Sequence, residues 1–252
     1  EMKNLKGTHY YNYFGIIDAN NQQFLDFSIN NMIFKNNIGR SIFGGGVGIL
    51  IYNIARSLSF NNCRFINNRA EQDSSHSRPV PPNDQPYFNG DGGAIQIGYI
   101  CPLNSINLHF KNCYFKDNKA RRHGGALALQ NLGVIEILAC TFENNIANYV
   151  SNGDFLSNNY HLIEEGYGGA VYINQDYEST SLCSSSSNNN NHVKITDSHF
   201  INNNAFNGYA IFIQGDNLDS FFDVSKNEFN NNFLKETLER NSSVIATQIC
   251  VD

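Results

Sequence analysis

One eleven-residue pattern occurs six times in this chain, and that repetition constrains the fold more than any other feature of the sequence. The segment Leu58 to Asn68 recurs as Leu108 to Asn118, Ile135 to Asn145, Val193 to Asn203 and Phe222 to Asn232, with an earlier copy from Phe27 to Asn37. Every copy closes on F-x-x-N: Phe34 with Asn37, Phe65 with Asn68, Phe115 with Asn118, Phe142 with Asn145, Phe200 with Asn203 and Phe229 with Asn232. The positions five and seven residues before the Phe are always apolar: Ile29/Phe27, Phe60/Leu58, Phe110/Leu108, Ile137/Ile135, Ile195/Val193 and Val224/Phe222. An apolar side chain at every second position marks a strand with one buried face. The position two before the Phe falls on that face and reads Met32, Cys63, Cys113, Cys140, Ser198 and Asn227, so three thiols are expected to stack as small inward fillers.

A second strand follows in the first five copies: Gly46 to Ile51, Gly92 to Ile97, Gly124 to Leu129, Gly168 to Ile173 and Gly208 to Ile213. Its first and third residues are always Gly or Ala, which permits a sharp entry and close approach of neighbouring turns. The fourth and sixth residues supply two more aliphatic columns. Ser243-Val244-Ile245-Ala246 is expected to be the sixth copy's version.

Copies separated by only 27 to 31 residues in the compact cases, with short strands and no helical periodicity, cannot bury an apolar face alone and must stack. The fold expected is all-β, a right-handed parallel β-helix of about six coils over residues 1–252, with long loop insertions. Residues 1–26 would form a cap or partial coil, 27–232 the repeats, and 233–252 the last strand, continuing in a longer parent protein if one exists. Stacked at the ~4.8 Å strand spacing, like residues form ladders, and the corner Asn side chains could bond from coil to coil.

Composition agrees with this. Asn accounts for 41 of the 252 residues, and it suits tight corners because it tolerates left-handed backbone angles. Charged residues are only 16% and the net charge is −6, so the chain lacks the basic balance of a nucleic-acid binder. No run approaches the ~18 apolar residues of a membrane-spanning helix. The start, Glu1-Met2-Lys3-Asn4, reads as a mature product or an excised piece, and Cys250-Val251-Asp252 is strand-like with no capping helix. Of the six cysteines, Cys63, Cys113 and Cys140 fall at one repeated position that packing explains, a disulfide between stacked neighbours is possible in distance but would leave one odd thiol, and the disulfide state of all six, Cys101, Cys183 and Cys250 included, stays open. Asn241-Ser242-Ser243 permits N-glycosylation.

F-x-x-N alternating with G-G-A-[ILV] resembles the repeats of the chlamydial polymorphic outer membrane proteins and related repeats of eukaryotic microbes, over about residues 27 to 232. The resemblance implies a right-handed parallel β-helix displayed at the cell surface and associated with adhesion. This chain differs in having no outer-membrane barrel, which leaves the mode of attachment open. It also lacks the second Gly at Val47 and Tyr209, a position expected to face the core.

Sites are scarcer. Long insertions leave one corner at alternate copies, Arg69 to Asp91 and Ile146 to Tyr167, and between them lies the short corner Lys119 to His123. Arg121, Arg122 and His123 could therefore form a basic patch framed by Glu71, Asp73, Asp84, Asp154, Glu164 and Glu165, suited to an acidic ligand or a neighbouring protomer. The plainer reading is a solvated corner neutralised by loop carboxylates. A third insertion, Gln175 to Asn191, is low in complexity and expected to be a tether without chemistry.

The outward column six before the Phe reads Ser28, Ser59, His109, Glu136, Lys194 and Asp223. Ser59, His109 and Glu136 superficially suggest a nucleophile, base and orienter, but a flat strand face provides no oxyanion hole, and alternating charges across strands are ordinary pairing. No two His or Cys have metal-ligand spacing on one face, and no cofactor is expected. The function expected is a non-catalytic extracellular or cell-surface scaffold, adhesin-like or fibre-forming. Its partners would be surface proteins, glycans or copies of itself end to end. The alternative is a polysaccharide-active hydrolase or lyase, for which converging carboxylates with Arg or Lys under the two long loops would be the sign.

Overall fold

The computed structural model describes residues 2–3, 6–7, 24–39, 55–71, 91–98, 107–130, 133–147, 166–174, 192–214, 222–234 and 249–251. All regular structure among them is β, every pairing is parallel, and no helix is present that is long and apolar enough to cross a membrane. Among the described residues, successive copies contribute strands to several sheets, which the chain visits in a fixed order.

The first sheet stacks Phe24–Asn30, Ala55–Asn61, Asn107–Lys111, Val134–Leu138, His192–Thr196 and Phe222–Ser225. The second takes the three residues around each conserved Phe, from Ile33–Lys35 to Glu228–Asn230, with Met2–Lys3 paired onto its first strand. A third set of two-residue strands follows at Ile38–Gly39, Arg69–Ala70, Lys119–Ala120, Asn204–Ala205 and Phe233–Leu234, with Lys6–Gly7 paired onto Ile38–Gly39 and Ile146 bridging Lys119 and Asn204. The fourth sheet holds Ile95–Gly98, Leu127–Gln130, Val171–Asn174, Ile211–Gln214 and Ile249–Val251. Register is strict, so equivalent residues of successive copies are directly paired.

Two tight corners per copy separate the first three sheets. All twelve non-glycine residues with positive φ among the described residues sit at them, three residues before the Phe or two after it, with φ between 51° and 58°. Eight are Asn and two are Asp, whose short polar side chains tolerate this region; Ala139 and Lys226 occupy it without that help.

Strict register turns single residues into ladders. Phe34, Phe65, Phe115, Phe142, Phe200 and Phe229 stack with ring centroids 4.8, 4.8, 4.7, 4.9 and 5.1 Å apart. Phe60 and Phe110 form a parallel stack at 4.9 Å and meet Phe65 and Phe115 edge-on. Together with the aliphatic columns of the first and fourth sheets they form one buried cluster that runs from Ile29 to Ile213, against which Phe222, Val224 and Phe229 pack.

At the corner behind the Phe ladder runs an unbroken line of buried Asn. The Oδ1 of Asn118 accepts both the backbone and the side-chain N–H of Asn68, each at 3.0 Å. Its Nδ2 donates to Asn145 Oδ1 and to the Phe65 carbonyl, again at 3.0 Å. Two donated and two accepted bonds fulfil the carboxamide, and the scheme runs from Asn37 through Asn68, Asn118, Asn145 and Asn203 to Asn232.

The glycine pair before the fourth sheet serves two ends. Gly124 has φ +62°, and a Cβ on Gly125 would lie 2.0 Å from the Gly169 carbonyl oxygen and 2.5 Å from the Ile146 nitrogen. The second position therefore faces the backbone of the next copy and not the core, correcting the sequence-based expectation. Tyr209 stands in this column only at its last described member. Val47 and the strand expected over 46–51 lie outside the described residues. A second correction concerns the sixth copy: the strand in register with Ile211–Ile213 is Ile249–Val251, whereas 243–246 lies outside the described residues.

Gly125→Ala is expected to lower unfolding free energy by about 3 kcal/mol, because the intruding methyl meets rigid backbone on two sides. Ala139→Asn, at an exposed corner with φ 51°, should raise it by about 1 kcal/mol. Urea midpoints of the two variants should move in opposite directions.

Candidate functional site

The basic corner is the link from the strand Lys119–Ala120 to the strand Leu127–Gln130. Its backbone is held from both neighbouring copies: Arg121 N–H donates to the Ala70 carbonyl and Gly124 N–H to that of Tyr167. Arg122 is ion-paired, with Nε and Nη2 each donating at 3.0 Å to a different carboxylate oxygen of Asp91. Asp91 Oδ1 also accepts the backbone N–H of His123 at 3.2 Å. The Asp91 side chain is fully buried, and a bidentate guanidinium is the partner that best offsets the cost of desolvating a carboxylate.

His123 is buried as well. Its ring lies parallel to Tyr167 at 5.0 Å and against Tyr172 at 4.7 Å, and its Nδ1 accepts the Tyr167 backbone N–H at 3.2 Å. Tyr167 in turn stacks on Phe212 at 4.5 Å, and Ala128, Tyr172 and Phe212 form a second buried cluster on the outward side of the fourth sheet. The ring faces are taken up by one another, so this cluster is packing.

The sequence reading missed Asp91 and this outer cluster. Asp91, His123, Tyr167 and Asn207 all directly precede the small-residue strand, and the bonds Gly92 N–H to His123 O, Gly124 N–H to Tyr167 O and Gly168 N–H to Asn207 O place them in one column. That position in the repeat was the available signal for the Asp91 contact. Of the carboxylates named from sequence, Glu71 lies 3.5 Å from Arg69, while Asp73, Asp84, Asp154, Glu164 and Glu165 lie outside the described residues.

The outward column of the first sheet is assembled in register as Ser28, Ser59, His109, Glu136, Lys194 and Asp223. His109 Nδ1 meets Glu136 Oε2 at 2.9 Å with both side chains about a third exposed, but no hydrogen bond joins Ser59 to His109. A serine without a bonded base is not an activated nucleophile. On the second sheet, Glu143 binds Lys116 at 2.7 Å and also accepts from the Tyr114 hydroxyl, and these partners hold its carboxyl below its ordinary range. Among the described residues no group of three His, Cys, Asp or Glu could hold a metal ion.

Cys63, Cys113 and Cys140 are free and buried. They are more than fillers. Cys140 Sγ accepts the Cys113 backbone N–H at 3.4 Å, Ser198 Oγ that of Cys140 at 3.0 Å, and Asn227 Oδ1 that of Ser198 at 2.9 Å. Each thiol donates back toward a carbonyl of the preceding copy, as Cys113 does to Phe60 at 3.3 Å. This column is thus a second polar corner ladder, in which sulfur, hydroxyl and carboxamide take the same place. The hydrogen bond with Cys140, assisted by burial, pushes the Cys113 thiol up to about 12, and the bond with Cys113 followed by burial pushes Cys63 up as well. Cys101, Cys183 and Asn241 lie outside the described residues, and Cys250 is placed only by its strand.

No family model, no curated protein and no solved structure matches the chain.

Because all three thiols are buried out of reach of the reagent, Cys63, Cys113 and Cys140 should stay unmodified when the folded chain is treated with iodoacetamide at neutral pH, and all three should alkylate in denaturant. Peptide mass mapping before and after unfolding checks this.

Proposed function

We propose that the chain is a right-handed parallel β-helix acting as a non-catalytic extracellular or cell-surface scaffold, adhesin-like, of the polymorphic outer membrane protein repeat type. The observation that carries this reading is how the residues that recur from copy to copy are used. Both half-motifs go into ladders between copies: the Phe into ring stacking, the Asn into a fully bonded carboxamide line, and the glycines into close backbone approach. The repeats thus build a rigid axis, and variation is left to the outward columns and insertions. Two insertions leave after Glu71 and Ala147 and return at Asp91 and Gly166, so both depart from the edge beyond the third set of strands and re-enter before the fourth sheet. A scaffold that presents loops along one edge has this layout.

The rival, a polysaccharide hydrolase or lyase, draws on the His109 and Glu136 pair. The deciding experiment uses the whole chain. Electron microscopy with light scattering over a concentration series should show short rods of constant mass, and a glycan screen should show binding with no release of reducing or unsaturated ends. Glycan cleavage that His109→Gln abolishes would overturn the scaffold reading. End-to-end fibres growing with concentration would replace display by self-assembly as its purpose.

A further inference from the structure

We infer that the edge formed by the second sheet, its two corners and the adjoining ends of the first-sheet strands carries, over the first three copies, a docking surface for a linear anionic polysaccharide. This rests on the reading of the chain as a surface scaffold and names a ligand class for it. Residues 30–39, 61–71 and 111–120 hold six cations, Lys35, Arg64, Arg69, Lys111, Lys116 and Lys119, against the carboxylates Glu71 and Asp117. The same edge in residues 138–147, 196–206 and 225–234 holds Lys226 against Glu143, Asp197 and Glu228. On a chain of net charge −6, six of the 17 Lys and Arg therefore lie on one half of this edge.

The geometry suits a polymer lying along the stacking direction. Lys35 and Lys116 share an outward column with Ile66 between them, two strand spacings or about 9.6 Å apart. Arg69 and Lys119 are directly paired one corner further on. Lys35, Arg64 and Lys111 are exposed, and none of the three makes an ion pair among the described residues. The Arg64 guanidinium is held over the Tyr114 ring, 5.6 Å from its centroid. The 2.7 Å pair between Lys116 and Glu143 marks where the positive half meets the negative half.

Charge complementarity selects a flexible single file of carboxylate or sulfate groups. A nucleic-acid duplex is rigid and would run on into Glu143, Asp197 and Glu228, with repulsion in place of contact. A single strand needs exposed aromatic faces for its bases, and Arg64 already covers that of Tyr114.

The test is binding of the full chain to immobilised dextran sulfate and to polygalacturonate, with neutral dextran and a short DNA duplex as comparisons. Two double variants remove the same charge from different places: Lys35→Gln with Lys111→Gln on the basic half, and Lys194→Gln with Lys226→Gln outside it. Binding to at least one polyanion, weakened about 5- to 10-fold by the first pair and less than about 2-fold by the second, is the expected result. Unchanged circular dichroism would show that both variants fold. Equal losses in the two pairs, no binding by the parent chain, or tighter binding to the duplex would each overturn the inference. None of these outcomes touches the scaffold reading, which stands or falls on glycan cleavage.

Discussion

Everything else in this molecule depends on the hydrogen bonds that hold successive copies in one register. The clearest case is the buried Asn line, where each carboxamide accepts from the Asn before it and donates to the Asn after it and to a Phe carbonyl. A shift by one residue would bring a different side chain into that place and leave several buried N–H and C=O groups unpaired. Each orphan costs about 1–3 kcal/mol, so the line selects one register far more sharply than apolar burial does. All the carboxamides point the same way along the stack, so neighbouring bonds also polarise one another favourably.

Given that register, ring stacking follows without further design. The conserved Phe precedes its Asn by three residues in every copy, so aligning the Asn column also aligns the Phe column at the strand spacing. Packing of this kind needs the chain to turn sharply twice within a few residues, and the left-handed residues at each copy's two corners do this. The Asn-rich composition therefore has two separate physical origins. The Asn that closes F-x-x-N supplies hydrogen bonds from its side chain, while the residue before it supplies a backbone angle, as Asn67 and Asn68 do side by side.

The inward side of the first, second and fourth sheets was legible because strand periodicity and repeat spacing act together: Phe60, Phe65, Ile95 and Ile97 could be assigned to a core from their positions alone. What escaped depends on contacts across copies at positions that do not repeat chemically. Asp91 meets Arg122 because the two lie one copy apart at a shared corner, yet Asp91, His123, Tyr167 and Asn207 are unlike enough to hide the column they form. Tyr172 and Phe212 sit at outward positions, where alternation assigns solvent, but they are buried because neighbouring corners contribute His123 and Tyr167 to cover them. The thiols were read by volume, and their role in bonding backbone N–H groups becomes visible only when Ser198 and Asn227 are seen to do the same work.

A structure whose recurring residues are consumed in holding copies together has little freedom left in its interior, and function must be sought on the outward columns. There the constraint is weak: an outward side chain meets only its neighbours one copy away, so charge can be distributed along an edge without disturbing the ladders behind it. His109 with Glu136 and Lys116 with Glu143 are such neighbour pairs, and both join the third copy to the fourth. Like charges directly opposite on adjacent strands repel, and Arg69 beside Lys119 is such a pairing, with Glu71 close to Arg69 as partial compensation. A sequence shaped by stability alone would alternate signs along the edge, as the column of Glu136, Lys194 and Asp223 does. The gathering of cations over the first three copies departs from that rule at some energetic cost, and a polyanion lying along the edge is the kind of partner that would offset it.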